Sequence, residues 1–175
     1  MKYPFIFEPE KSIEAILYIA QNVKQPTFHR ISKIMYFADK ARLEKYGRSI
    51  CGDSYIAMKH GPVPSCTYDI LKSVRGDGLS SVVQQAKRSL TVETGSVVKP
   101  LREANLDELS LSDLTCLDKA IKEYGALSFE ELTQLSHDNA WESADENEFI
   151  ELEQIVLTLA NPELVLDHLK DPFPG

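Results

Sequence analysis

Between residues 10 and 46 the apolar residues recur at the three- and four-residue spacing of an α-helix, interrupted once, at Gln25-Pro26. That period admits helices packed side by side and excludes a chain built mainly of strands, whose apolar residues would alternate. In the first stretch, 10–24, Ile13, Ile16, Leu17, Ala20 and Val23 share one face, while Lys11, Glu14, Gln21 and Lys24 lie elsewhere. The ring of Pro26 disfavours helical backbone at Gln25 and ends it. Thr27 is placed to cap a second helix over 28–46, with an apolar arc of Phe28, Ile31, Ile34, Met35 and Ala38 and a stop at Gly47. Tyr36 and Phe37 lie off that arc, so this helix is expected to be central and covered on more than one side.

The rhythm breaks over 50–63. Tyr55–Lys59 reads as a short strand and His60-Gly61-Pro62 as a tight turn. A helix follows from about Ser65 to Val74, with Tyr68, Ile70, Leu71 and Val74 inward, and Arg75-Gly76-Asp77-Gly78 closes it. Residues 81–101 become β-branched and alternating, and Leu90–Thr94 and Val97–Pro100 around Gly95-Ser96 predict a hairpin. Farther on, Ser110 or Ser112 caps a helix carrying Leu111, Leu114, Leu117, Ala120, Ile121 and Tyr124 on one face, ended by Gly125. Ser128 with Glu131 forms a capping box for a helix to about Ser136. Glu148–Asn161 reads as a helix apolar at Phe149, Leu152, Ile155, Val156 and Leu159. Pro162 suits the first turn of a last helix to about residue 169, capped by Asn161, with an extended tail over Asp171–Gly175. The expectation is a mainly α (α+β) protein, one compact helical domain over residues 1–175 with a small inserted antiparallel β element.

Charge is unevenly spread. Residues 1–100 hold 15 Lys/Arg against 9 Asp/Glu, a net of +6, whereas 101–175 hold 4 against 18, a net of −14. No apolar run approaches the roughly 20 residues of a membrane helix, and Met1-Lys2-Tyr3-Pro4 lacks the pattern of a signal peptide. A cytoplasmic protein is expected. Cys51, Cys66 and Cys116 are odd in number and widely spaced, which points to reduced thiols serving as small apolar filler rather than to a disulfide or zinc framework.

The chemistry of catalysis finds little support. His29, His60, His137 and His168 show no HExxH or HxH spacing, so no metal is expected. GxSxG, GxGxxG and GxxxxGK[ST] are all absent, leaving no nucleophile elbow and no phosphate cradle. A Cys66–His60 pairing in three dimensions stays open, but the chain is expected not to be an enzyme and to use no cofactor. Nucleic-acid binding is harder to dismiss. Arg30, Lys33 and Lys40 share the side of helix 28–46 opposite its apolar arc, a basic face available to phosphates in a transcriptional regulator. Asp39 and Glu44 dilute that face, and the acidic second half repels DNA.

The most unusual cluster runs from Gly52 to Ser65. Its structural reading is a strand, a turn and a capped helix start, in which Asp53 accepts backbone N–H groups and His60 is buried in the turn. Its other reading is recognition. Trp141, the sole tryptophan, sits in a break between helices, where packing is the default, though tryptophan is also enriched at binding hot spots.

Ile34-Met35-Tyr36-Phe37-Ala38-Asp39, Tyr46-Gly47-Arg48, Gly52-Asp53 and Tyr55 through Pro64 together resemble the Panacea domain, a family of SocA-like antitoxins and phage-associated proteins. Leu109 through Asp113, Tyr124-Gly125, Leu127-Ser128, Ser136-His137 and Ala140-Trp141 are similar to its second half, so the resemblance spans about residues 12–145. It implies a mainly helical, non-catalytic module of a toxin–antitoxin system. Such a module neutralises a cognate toxin by protein–protein contact, or acts as a proteolytic adaptor that hands the toxin to a ClpXP-type protease. The expected toxin contacts are the cluster's turn, Tyr55, Met58, Lys59, His60, Pro62 and Val63, joined by Trp141.

Overall fold

A computed structural model describes residues 1–171, and the expected extended tail after Asp171 lies outside them. Nine helices and two β-hairpins alternate along these residues. Helix α1 (Pro9–Asn22) is followed by α2 (Phe28–Tyr46), then the strands β1 (Tyr55–Met58) and β2 (Gly61–Pro64). Next come α3 (Ser65–Arg75), α4 (Val83–Ser89) and the strands β3 (Leu90–Glu93) and β4 (Val97–Pro100). After a short 3-10 turn, the chain continues through α5 (Leu111–Tyr124), α6 (Phe129–Ser136), α7 (Asn139–Glu142), α8 (Leu152–Val156) and α9 (Pro162–Lys170). The fold is mainly α with small β elements.

Local chemistry sets most boundaries. Thr27 accepts the Arg30 N–H and starts α2, and Gly47, at φ 67°, ends it in the left-handed conformation that glycine tolerates. Ser110 rather than Ser112 caps α5, in a reciprocal box with Asp113, and Ser128 and Glu131 do the same for α6. Asn161 holds the cap position of α9 but its side chain makes no capping bond.

Helix α2 is the axis of the molecule. One face carries Phe28, Ile31, Ile34, Met35 and Ala38 into a core built with α1, α3, α4, α5 and the β3–β4 hairpin. The opposite side carries Tyr36 and Leu43 into a second core with Tyr55, Ala57, Ile150, Ile155 and Val165. Phe37 packs between the two and stacks on Tyr124 at 3.9 Å.

Several expectations change. Residues 83–89 are helical, not alternating strand, and Pro62-Val63-Pro64 continues into a second strand instead of a bare turn. Proline is tolerated there because Tyr55 and Ala57 oppose Pro64 and Pro62, at pairs where the missing N–H would point away from β1. The helix expected over 148–161 contracts to Leu152–Val156. Leu111, expected on the buried face of α5, is 82 % exposed in the first turn, ahead of the point where that helix meets α2.

Candidate functional site

The β1–β2 hairpin is anchored by buried polar groups on each side. The Asp53 carboxylate accepts the N–H groups of Ser54 at 2.9 Å, Cys66 at 2.9 Å and Thr67 at 2.8 Å, tying the entry of β1 to the first turn of α3. An acceptor from another segment thus caps a helix whose own cap residue, Pro64, cannot. From α2, Asp39 accepts the Tyr55 hydroxyl at 2.6 Å and the Ile50 N–H at 2.7 Å. Burial pushes Asp39 up to about 6, against those two bonds. Lys33, also from α2, donates to the Pro62 carbonyl at 3.0 Å. It is 1 % exposed, and desolvation lowers its ammonium to about 7.

Gly61 makes this approach possible. Its φ is 116°, and a Cβ there would collide with Ser136 Oγ and Lys33 Cε. Tyr55 and Pro62, expected to touch a partner, are therefore buried parts of the anchor, and Val63 is buried on the hairpin's other face. The alternation of β1 turns Tyr55 and Ala57 inward, and Pro62 is held against α2.

The same alternation turns Ile56 and Met58 outward, where both are half-buried. They form, with Phe7, Val63, Tyr68 and Leu79, the apolar lining of an open groove of about 570 Å³ between the hairpin, the start of α3 and the 79–81 loop. Leu79 is 95 % exposed at its rim. Asp69, Lys72, Ser80 and Asn147 give it polar edges of mixed sign. A third segment borders β1. The Ala57 N–H donates to the Glu148 carbonyl at 2.9 Å, and the Asn147 and Ile150 N–H groups donate back to Ala57 at 2.7 Å and to Tyr55 at 2.8 Å.

At the hairpin tip Lys59 and His60 are exposed, so His60 is not the buried turn member considered above. Its ring meets the edge of Phe129, which stacks on His29 at 4.0 Å. His29 shares a 2.9 Å hydrogen bond with Thr133, and desolvation together with the nearby Lys33 charge lowers its pKa to about 3. Trp141 is half-buried. Its indole N–H donates to the Met58 carbonyl at 2.8 Å, and its ring stacks on His137 at 3.7 Å. Of the seven expected contact residues, the structure leaves Lys59 and His60 fully available, and Met58 and Trp141 partly so.

The basic face of α2 is largely covered, with Lys33 buried and Arg30 and Lys40 half-buried. Arg30 donates to the carbonyls of Gly125 at 3.0 Å and Leu127 at 2.6 Å, and Lys40 pairs with Asp138 at 3.0 Å. Arg42 and Lys11 both reach the buried Asp113 at 2.7 Å. With Lys33 under the hairpin, no continuous cationic stripe on α2 faces solvent. The helical wheel placed Arg30, Lys33 and Lys40 opposite the first core; a second layer of structure buries Lys33 and half-covers Arg30 and Lys40.

Cys51 and Cys116 are buried and Cys66 is exposed. Local desolvation and the Asp53 carboxylate raise the Cys66 thiol to about 11, opposite to the shift that activates a nucleophile. Among the described residues no helix is long and apolar enough to cross a membrane. The sequence places Ile56 in the Tyr55–Lys59 strand without marking it as a contact, and nothing in the single letters singles out Leu79. The outward half of Tyr-Ile-Ala-Met was readable from strand alternation, but Leu79 lies in a loop whose position depends on α3.

A family model described as "Antitoxin SocA-like, Panacea domain" matches residues 31–142, from the first turn of α2 to the end of α7. No curated protein and no solved structure matches the chain.

Proposed function

Because this chain belongs to the SocA-like antitoxin family with its Panacea domain, we propose that it neutralises a toxin by binding it directly in the groove on the outer face of the β1–β2 hairpin. The observation that carries this reading is the pairing of a rigid anchor with an open apolar surface. Asp39, Lys33 and Asp53 hold the hairpin from within, so Ile56 and Met58 are presented at fixed positions with little ordering left to be lost on binding. The half-buried apolar floor and mixed-charge rim suit a protein segment better than a phosphate backbone. Lys59 and His60 at the hairpin tip, and Trp141 beside Lys59, lie next to this face and would extend the contact around the tip. The protein acts without catalysis in this reading.

The test is co-expression and co-purification with the product of the adjacent open reading frame. Wild-type protein rescues growth and forms a complex, whereas Met58→Asp and Ile56→Asp weaken it by about tenfold or more, as for a charge placed in an apolar contact. Absence of a complex with the wild-type chain overturns the reading. Rescue that persists in cells lacking a ClpXP-type protease supports neutralisation by binding. Rescue that needs the protease, with a shortened toxin half-life, makes the chain a proteolytic adaptor instead.

A further inference from the structure

Segment 147–150 turns the β1–β2 hairpin into a three-stranded antiparallel arrangement whose outer edge is open. Hydrogen bonds from Ala57 to Glu148 and from Ile150 to Tyr55 make Ile56 and Phe149 a directly opposed pair between them. In that geometry the Phe149 N–H and C=O point away from β1. Neither is paired with any group among the described residues. The side chain of Phe149 is 58 % exposed and shares a face with Ile56, so Val63, Ile56 and Phe149 form an apolar row leading from the groove to the edge. Ile150, next along, is buried in the second core. It pins the register, since a one-residue slip would exchange it with Phe149.

The charge around this edge has one sign. Between Lys122 and Lys170 the chain contains no Lys or Arg, and Glu146, Glu148 and Glu151, all exposed, flank Phe149. Charged residues on an edge commonly guard against chance pairing. Guarding alone, however, does not account for a large aromatic left exposed at the centre of the edge, in line with the apolar row. A strand added here would meet an apolar position at Phe149, with Glu151 on the same face and Glu148, beside the buried Ile150, on the other.

We propose that the Phe149 edge receives an extended segment of the partner protein that carries both apolar and Lys/Arg residues, adding a strand beside 147–150. The identity of that partner as the toxin rests on the antitoxin reading; the mode of binding does not. Main-chain bonds to Phe149 supply affinity, and the glutamates select a basic sequence over an acidic one. The edge lies beyond residue 142, where the family match ends. It is therefore a property of this chain's own C-terminal part.

The experiment titrates the full-length 15N-labelled protein with two synthetic peptides of about ten residues, one alternating Lys and Val and the other Glu and Val. The basic peptide is expected to bind and to slow amide exchange at Phe149 by about tenfold, the acidic one to do neither. Phe149→Pro, which removes a donor the fold does not use, and the double variant Glu148→Lys/Glu151→Lys are each expected to weaken binding about tenfold. The double variant and Phe149→Ser replace Phe149→Pro should the latter fail to fold. Basic-peptide binding with unchanged Phe149 exchange overturns the proposal, as does equal protection by both peptides. An adjacent-gene toxin that binds the wild type and both edge variants equally also overturns it, leaving the antitoxin reading intact. A toxin that binds none of them overturns the antitoxin reading, and the peptide titration still decides the edge.

Discussion

Replacing Lys33 with Met should make this protein more stable at acidic pH and give it no advantage at alkaline pH. The ammonium sits under the hairpin with one hydrogen bond, to the Pro62 carbonyl at 3.0 Å, although it has three donors to satisfy. Desolvation lowers its pKa from 10.5 to about 7, a difference of about 5 kcal/mol between burying the charged and the neutral amine. Above pH 10.5 folded and unfolded chains both hold a neutral amine and nothing is lost. As pH falls toward 7 the unfolded chain takes up a proton that the folded one resists, so stability declines. Below 7 the folded chain carries the full penalty. Met fills a similar volume without charge, but it leaves the Pro62 carbonyl unpaired, at about 1–3 kcal/mol. The balance is a gain of about 2–4 kcal/mol at pH 6 that shrinks to nothing, or reverses, at pH 10. Urea unfolding of both proteins at pH 6, 8 and 10 measures this. A Lys33→Met variant less stable than wild type at pH 6, or a wild-type minus variant difference that does not vary with pH, would refute the account of a buried, poorly partnered ammonium.

Two further substitutions probe the same scaffold. Gly61→Ala forces a side chain into left-handed backbone against Ser136 and Lys33, and is expected to cost about 2–4 kcal/mol in thermal or urea unfolding. Asp53→Ala removes the acceptor of three N–H groups at the start of α3 and should lower stability by about 3 kcal/mol. In a chain of this size that corresponds to a melting shift of about 6–12 °C. A melting point within about 2 °C of wild type would mean that water replaces the carboxylate without loss.

Wherever a few adjacent residues decide the structure, the sequence was readable. Thr27 and Gly47 bound α2, and the Ser128–Glu131 box opens α6, because their partners lie within one helical turn. Asp53 as an acceptor of backbone N–H groups was also legible as chemistry, although the helix it caps begins a dozen residues away. The failures share a cause. Phe149 has the spacing of a helix face with Leu152 and Ile155, yet residues 147–150 hydrogen-bond to Tyr55 and Ala57 and are held extended by a strand almost a hundred residues earlier. The candidate contacts divide in the same way: one hairpin carries Tyr55 and Pro62 inward, Val63 into the floor of the outer groove, and Lys59 and His60 at its exposed tip.

From its sequence alone the chain determined a helical protein with α2 at its centre, its caps, its resemblance to SocA-like antitoxins and the uneven division of charge, because each depends on residue type and short-range spacing. Only the tertiary structure decided what those charges do. The cations of α2 seemed free on a helical wheel, but a second core, the β1–β2 hairpin and α6 close over that side and convert Lys33 into an anchor and Lys40 into an ion-pair partner of Asp138. Whether a polar residue faces water or a carbonyl depends on elements distant in sequence, which one helix's periodicity does not encode.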